Sequence, residues 1–186
     1  MSQDFLTNQF LVAMPSLEDP NFRESVTFIC EHNPQGALGI VINRPMNVVL
    51  DDILKQLSLK ARDNVTGTTP VYLGGPVQPE RGFVIHEPPG QWEATLKVGE
   101  SLGVTTSRDV LAALADGQGP KRSFVALGYA GWTAGQLEEE LKSNSWLSAP
   151  ADPHIIFDTP VDQRWQAAAR LIGVDLSLLS GDTGHA

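Results

Sequence analysis

The chain has 186 residues, enough for one domain with a sizeable hydrophobic core. Hydrophobic residues make up 41% and charged residues 19%, which excludes disordered and fibrous classes. Against 22 Asp plus Glu stand 13 Lys plus Arg, a formal net charge of -9 with no basic run. The attraction that supplies most non-specific DNA affinity is therefore lacking, and direct nucleic-acid binding is disfavoured.

A single Cys allows neither an internal disulfide nor a Cys-rich zinc site. The first ten residues carry no basic region and no apolar stretch of the signal-peptide kind. Apolar runs such as Ala37 to Ile42 fall far short of the roughly 20 residues a membrane span needs. The chain reads as soluble and cytoplasmic, without a membrane partner, and as one domain over residues 1–186.

In chain order, strand-like runs come first: Phe10 to Met14, Val26 to Cys30 and Leu38 to Ile42. The stripe Leu50, Ile53, Leu54, Leu57 predicts a helix with Asp51, Asp52 and Lys55 facing out. Asp63 to Thr69 reads as a loop. Val71 to Leu73, Phe83 to His86 and Ala94 to Val98 are further strands, with a loop over Glu87 to Gln91. Ser107 to Ala115 is a second helix, stopped near Gly117.

The short strand Phe124 to Leu127 runs into Gly128 and Gly131, read as a strand-to-helix corner. A third helix opens at Thr133, where Thr133 and Gln136 form a capping box and Glu138 lies four residues before Lys142. His154 precedes an apolar run, Ile155 to Phe157, read as a strand. The fourth helix starts with Thr159 as N-cap and Pro160 at its first position. Its inner stripe is Trp165, Ala168, Ala169 and Ile172, and Gly173 ends it. The polar tail after Gly181, which includes His185, reads as frayed. Strands and helices neither alternate strictly nor segregate, which favours an α+β domain on a mixed or antiparallel sheet.

Period two places Val26, Phe28 and Cys30 on one apolar face, so Cys30 is either a buried structural thiol or a nucleophile activated by a cation such as His32. His32 and His86 each end a strand beside a glutamate, Glu31 and Glu87. Adjacent strand residues point to opposite faces, so neither glutamate orients its neighbour. No metal-ligand spacing, nucleophile elbow or phosphate loop occurs. Asn43-Arg44-Pro45 follows an apolar strand and delivers an Arg to a rim, where its planar fork suits a carboxylate or phosphate. Gly74-Gly75-Pro76 ends another strand and, like Gly128 to Gly131, is either a tight turn or an anion-binding backbone nest. Tyr129 and Trp132 flank Gly131, and Trp146 follows the third helix.

Phe10-Leu-Val-Ala-Met-Pro-Ser, Phe22-Arg-Glu-Ser-Val, Glu31-His32 and Gly36-Ala-Leu-Gly-Ile-Val-Ile-Asn-Arg-Pro, with Gly74-Gly-Pro-Val, Gly128-Tyr-Ala-Gly-Trp and Gly135-Gln-Leu-Glu-x-Glu-Leu, make the chain resemble the YqgE/AlgH family of bacterial proteins over nearly its full length. The resemblance implies an α+β fold in which a bifurcated mixed sheet curls into a pseudo-barrel with about four helices around it. It brings the label of transcriptional regulator, from a genetic association with exopolysaccharide control in one lineage. It implies no catalytic residues and no cofactor.

The leading expectation is a non-enzymatic domain that recognises a partner protein or a small anionic ligand, regulating transcription only indirectly. Its contact candidates are Asn43, Arg44, Pro45, Gly74, Gly75, Pro76, His86, Tyr129, Gly131, Trp132 and Gln136. Two rivals remain, a hydrolase- or redox-type enzyme using Cys30, His32 and His86, and a direct DNA-binding regulator.

Overall fold

The computed structural model describes residues 5–90 and 92–180. Ten strands form one sheet, built on β1 (Gln9–Ala13), β2 (Val26–Asn33), β3 (Gly36–Val41), β4 (Pro45–Val49), β5 (Pro70–Leu73) and β6 (Val77–Glu87). The remainder are β7 (Thr95–Val98), β8 (Leu102–Thr105), β9 (Arg122–Thr133) and β10 (Trp146–Pro150). The spatial order is β10-β1-β2-β3-β9-β6-β8-β7, and β5 joins β9 from the side, carrying β4. Every pairing is antiparallel except β5 with β9. The sheet is therefore mixed, it forks at β9, and it curls into a half-barrel.

The fork has a steric origin. The first half of β9 pairs with β5 and β6, and the second half pairs with β3. Between the halves, Gly128 adopts a φ of 79°, and Gly74 and Gly75 press against the Gly128–Ala130 backbone. Any Cβ at Gly75 would strike the Tyr129 carbonyl, so the backbones cross only because side chains are missing. The glycine breaks the strict alternation of β9, so Tyr129 joins the face of Phe124 and Ala126 while Ala130 and Trp132 turn to the opposite face.

Three cores follow. The first fills the curled sheet with Phe10, Phe28, Ile40, Ile85 and Phe124, closed by α5 (Pro153–Phe157) and α6 (Arg164–Arg170). Buried Arg164 ties α6 to the residue after β3: Nε donates to the Thr159 carbonyl at 2.9 Å and Nη1 to that of Ile42 at 2.6 Å. Its guanidinium lies over the Tyr72 and Phe124 rings. The second core packs α1 (Leu50–Gln56) and α3 (Arg108–Ala115) on the other face, through Leu50, Leu54, Val84, Val110 and Val125. The third sets Leu137 of α4 (Gln136–Lys142) against Leu11, Ile29, Trp132 and Trp146.

The four longer helices, α1, α3, α4 and α6, are those the sequence predicts, α4 from its capping box and the others from apolar stripes. Several details differ. Gly128 to Gly131 is not a corner, because β9 runs on to Thr133, and α4 begins only at Gln136 after Gly135 at φ 78°. Half of the capping box survives there, the Thr133 N–H donating to Gln136 Oε1 at 2.9 Å. Lys142 pairs with Glu139 at 3.6 Å, since Glu138 turns to His32.

Ile155 to Phe157 is helical in α5, because Asp152 caps the turn by accepting the His154 N–H and Pro153 opens it. Past Thr159 and Pro160 comes a 3-10 turn, Val161–Gln163, which delays α6 to Arg164, and Ile172 lies beyond the helix, 39% exposed. Asp63 to Thr69 contains the short α2 (Asn64–Gly67), capped by Asp63. The strands β4, β8 and β10 and the short α7 (Leu176–Ser180) have no counterpart in the sequence reading. The tail after Gly181, with His185, lies outside the described residues. Among the described residues, no helix is long and apolar enough to cross a membrane.

Candidate functional site

The polar and aromatic residues singled out by sequence fall into separate networks, each closed on itself. Asn43 accepts the Val26 N–H at 2.9 Å and donates to the Glu24 carbonyl at 2.9 Å, so its amide clamps the turn that leads into β2. Arg44 Nη2 donates to the Arg23 carbonyl, and partial burial pulls the guanidinium below its usual range. Pro45 starts β4. The Gly74 N–H donates to the Leu127 carbonyl at 2.7 Å and its own carbonyl accepts the Val41 N–H at 2.8 Å. The Gly74-Gly75 segment is thus part of the fork, and Pro76 is exposed beside it.

Trp132 is 6% exposed, with its indole N–H turned to a partner inside the protein. Its indole N–H donates to Glu140 Oε1 at 2.9 Å, and Trp146 donates to the same oxygen at 3.0 Å. Gln136 Nε2 reaches Glu140 Oε2 at 3.0 Å, and Phe22 fits against both indoles. Tyr129, Gly131 and Trp132 do share the wall of an open depression of about 450 Å³ near Gly36, but the charged residue there is Glu31. Arg44 is not among its lining residues, so the sequence-predicted cation and aromatic wall do not converge.

Nor do Cys30, His32 and His86: among the described residues, no hydrogen bond joins any two of them. Burial, and secondarily Glu31, pushes the Cys30 thiol far above its ordinary value, which removes the thiolate that nucleophilic or redox chemistry requires. His32 accepts the Leu6 N–H at Nδ1, 2.9 Å away, so Nε2 carries the proton and donates to Glu138 at 3.0 Å. His86 donates from Nδ1 to the Pro88 carbonyl at 2.9 Å and accepts from Thr105 at Nε2, 2.7 Å away. Burial lowers its pKa. Among the described residues, no cluster of three His, Cys, Asp or Glu is arranged to hold a metal ion.

A further concavity lies between α1, α3 and the sheet, with a volume of about 440 Å³. Its floor is Val84, Val125 and Leu127, and its walls are Ile53 of α1 and Leu57 at its C-cap, facing Val110 and Leu111 of α3. The two helices are only seven and eight residues long and follow different strands, β4 and β8. Leu50 and Leu54 reach the core while Ile53 and Leu57 stay half-buried, leaving an apolar slot. Asp52, Gln56, Glu80 and Arg108 form the lip. Asp52 Oδ2 accepts the Val49 N–H at 2.9 Å, and Arg108 Nη2 donates to the Leu57 carbonyl at 2.7 Å, bridging the slot's two sides.

None of these lining residues was a sequence candidate. The available signal was the breadth of the α1 stripe, four apolar positions in eight residues, more than a helix so short can bury.

A family model described as AlgH-like matches residues 10–177. A UPF0301 protein of Nitrosococcus oceani is 57% identical, covering 98% of this chain and 97% of its own length. Another, from Thioalkalivibrio sulfidiphilus, is 59% identical over 97% and 96% respectively. The solution structure of AlgH from Pseudomonas aeruginosa, 50% identical, superposes with a TM-score of 0.82 over 100% of this chain and 98% of that one. A Corynebacterium diphtheriae protein shares the fold at 19% identity, with a TM-score of 0.77 over 97% and 94%.

Proposed function

The chain belongs to the AlgH-like family, and from that premise we propose that it is a cytoplasmic, non-catalytic recognition domain whose α1–α3 cavity receives an apolar anchor of a partner protein. The observation that carries this reading is the slot itself: about 440 Å³, walled by Ile53, Leu57, Val110 and Leu111. Its size and its small set of polar lip groups fit the usual character of a ligand site. The lip mixes two carboxylates with one arginine, a set that meets both N–H and C=O groups of a peptide better than it meets an anion. Any control of transcription then runs through the partner, consistent with a net charge of -9.

N-acetyl-tryptophanamide is a suitable probe of the anchor site. Titrated into methyl-labelled protein, it should move the Ile53, Leu57, Val110 and Leu111 signals saturably at millimolar concentration, and Leu111→Trp, which fills the slot, should abolish the shifts. Shifts scattered over the surface, or unaltered in the filled variant, would remove the cavity from consideration.

A further inference from the structure

The α1–α3 cavity does not end at the sheet. Phe83 and Thr106 also line a second cavity, of about 370 Å³, whose further walls are Cys30, Leu38, Leu96 and Val104. It occupies the seam of the half-barrel, where the edge strand β7 faces the bulge of β2 at Cys30. The shared residues stand just beyond the end of the β6–β8 ladder, whose final pair is Val84 with Thr105. The two cavities therefore adjoin at this end of the β6–β8 ladder, where β6 still pairs with β9.

The ground between them is open. Between Val77 and Gly82, β6 leaves its register with β9, and Gln78 to Arg81 bulge outward, all exposed. A Cβ at Gly82 would meet nothing within 4 Å. Leu96, a large apolar side chain, is 42% exposed in the seam wall. The charges around this saddle are unequal. Asp52 and Glu80 face Arg108 at the first cavity, and Glu31 and Glu93 face Arg81 at the second. Both arginines already have partners, Arg108 in the Leu57 carbonyl and Arg81 over the Phe83 ring at 5.2 Å.

We infer that the partner segment is an extended peptide with two apolar anchors and basic flanks, which crosses the end of the β6–β8 ladder at Gly82 and Thr106. One anchor enters the α1–α3 cavity and the other the seam. The acidic surplus selects Lys or Arg beside the anchors, as rim charges do by complementarity. The inference rests on the anchor reading of the first cavity and extends it to the partner's chemistry.

The test uses synthetic peptides carrying two leucines between lysines, in a series of anchor spacings, with fluorescence polarisation on the full chain. Controls are the same peptides with Glu for Lys and with one Leu replaced by Ser. At the best spacing the Lys-flanked peptide should bind about fivefold or more tighter than its Glu counterpart, and the gap should shrink with salt. Removing one leucine should weaken it roughly tenfold.

Leu96→Arg, at a position 42% exposed, should reduce the two-anchor peptide to the one-anchor level while leaving the response to N-acetyl-tryptophanamide unchanged. Equal binding of Lys- and Glu-flanked peptides, or indifference to Leu96→Arg, would overturn the inference and leave the anchor site standing. Failure of N-acetyl-tryptophanamide on the unmodified chain would instead sink the anchor reading itself.

Discussion

The α4 side of the molecule and the α1–α3 side spend their side chains differently. Around α4, Trp132, Trp146 and Gln136 all converge on Glu140, and His32 joins Leu6 to Glu138. Each of these groups has its partner inside the protein. Across the sheet, α1 and α3 leave Ile53, Leu57 and Leu111 lining empty space, with unequal charges at the lip. Conspicuous aromatic and polar residues mark the finished part of this fold, and ordinary aliphatic ones mark the part able to receive something.

That contrast can be broken by substitution. The largest effect is expected at the fork, where Gly75→Ala drives a Cβ into the Tyr129 backbone; it should destabilise by about 3 kcal/mol or more, read by denaturant unfolding. Next comes Glu140→Ala, which strands two indole N–H groups and should cost about 2 kcal/mol, while Glu140→Gln keeps the acceptor and loses less.

His86 predicts a pH dependence. Its pKa is lowered in the folded state, so below about 6.5 the unfolded chain takes up a proton that the folded one refuses. Stability is complete above that pH and falls as pH drops toward the lowered folded value, by at most about 1.4 kcal/mol per pH unit. Replacing His86 by Gln should flatten the slope.

Arg44→Ala loses one hydrogen bond to a carbonyl and should cost about 1 kcal/mol, without altering the response to N-acetyl-tryptophanamide. The smallest change in stability belongs to Leu111→Trp, within about 1 kcal/mol because the new ring enters existing space, yet it should abolish that response. A stable Gly75→Ala variant, or a badly destabilised Leu111→Trp variant, would erase the distinction between the two sides.

Much of the fold was legible. Short apolar runs bounded by Gly, Pro and Asn located β1, β2, β3 and the core of β9, and period two placed Cys30 on the apolar face with Val26 and Phe28. Apolar stripes found α1, α3 and α6, and a capping box with its charge pattern found α4. What escaped has a common cause. β4 and β8 are short strands with no clean alternation, and Ile155 to Phe157 is too short for its apolar run to separate helix from strand. The candidate site was less legible still, because Arg44, Trp132 and Gln136 carry recognition-type chemistry whose partners, Arg23 and Glu140, are fixed only by packing.

The sequence alone determined the family and the α+β class, because motif order and local periodicity encode them, while it left Cys30 open between a buried thiol and a nucleophile until packing placed it at 2% exposure. Tertiary structure alone decided that Gly74, Gly75 and Gly128 serve a crossing of backbones, since a glycine's role depends on what approaches it. It also decided where the chain stays open. A cavity is the space two short helices fail to cover, and no residue's own chemistry announces it.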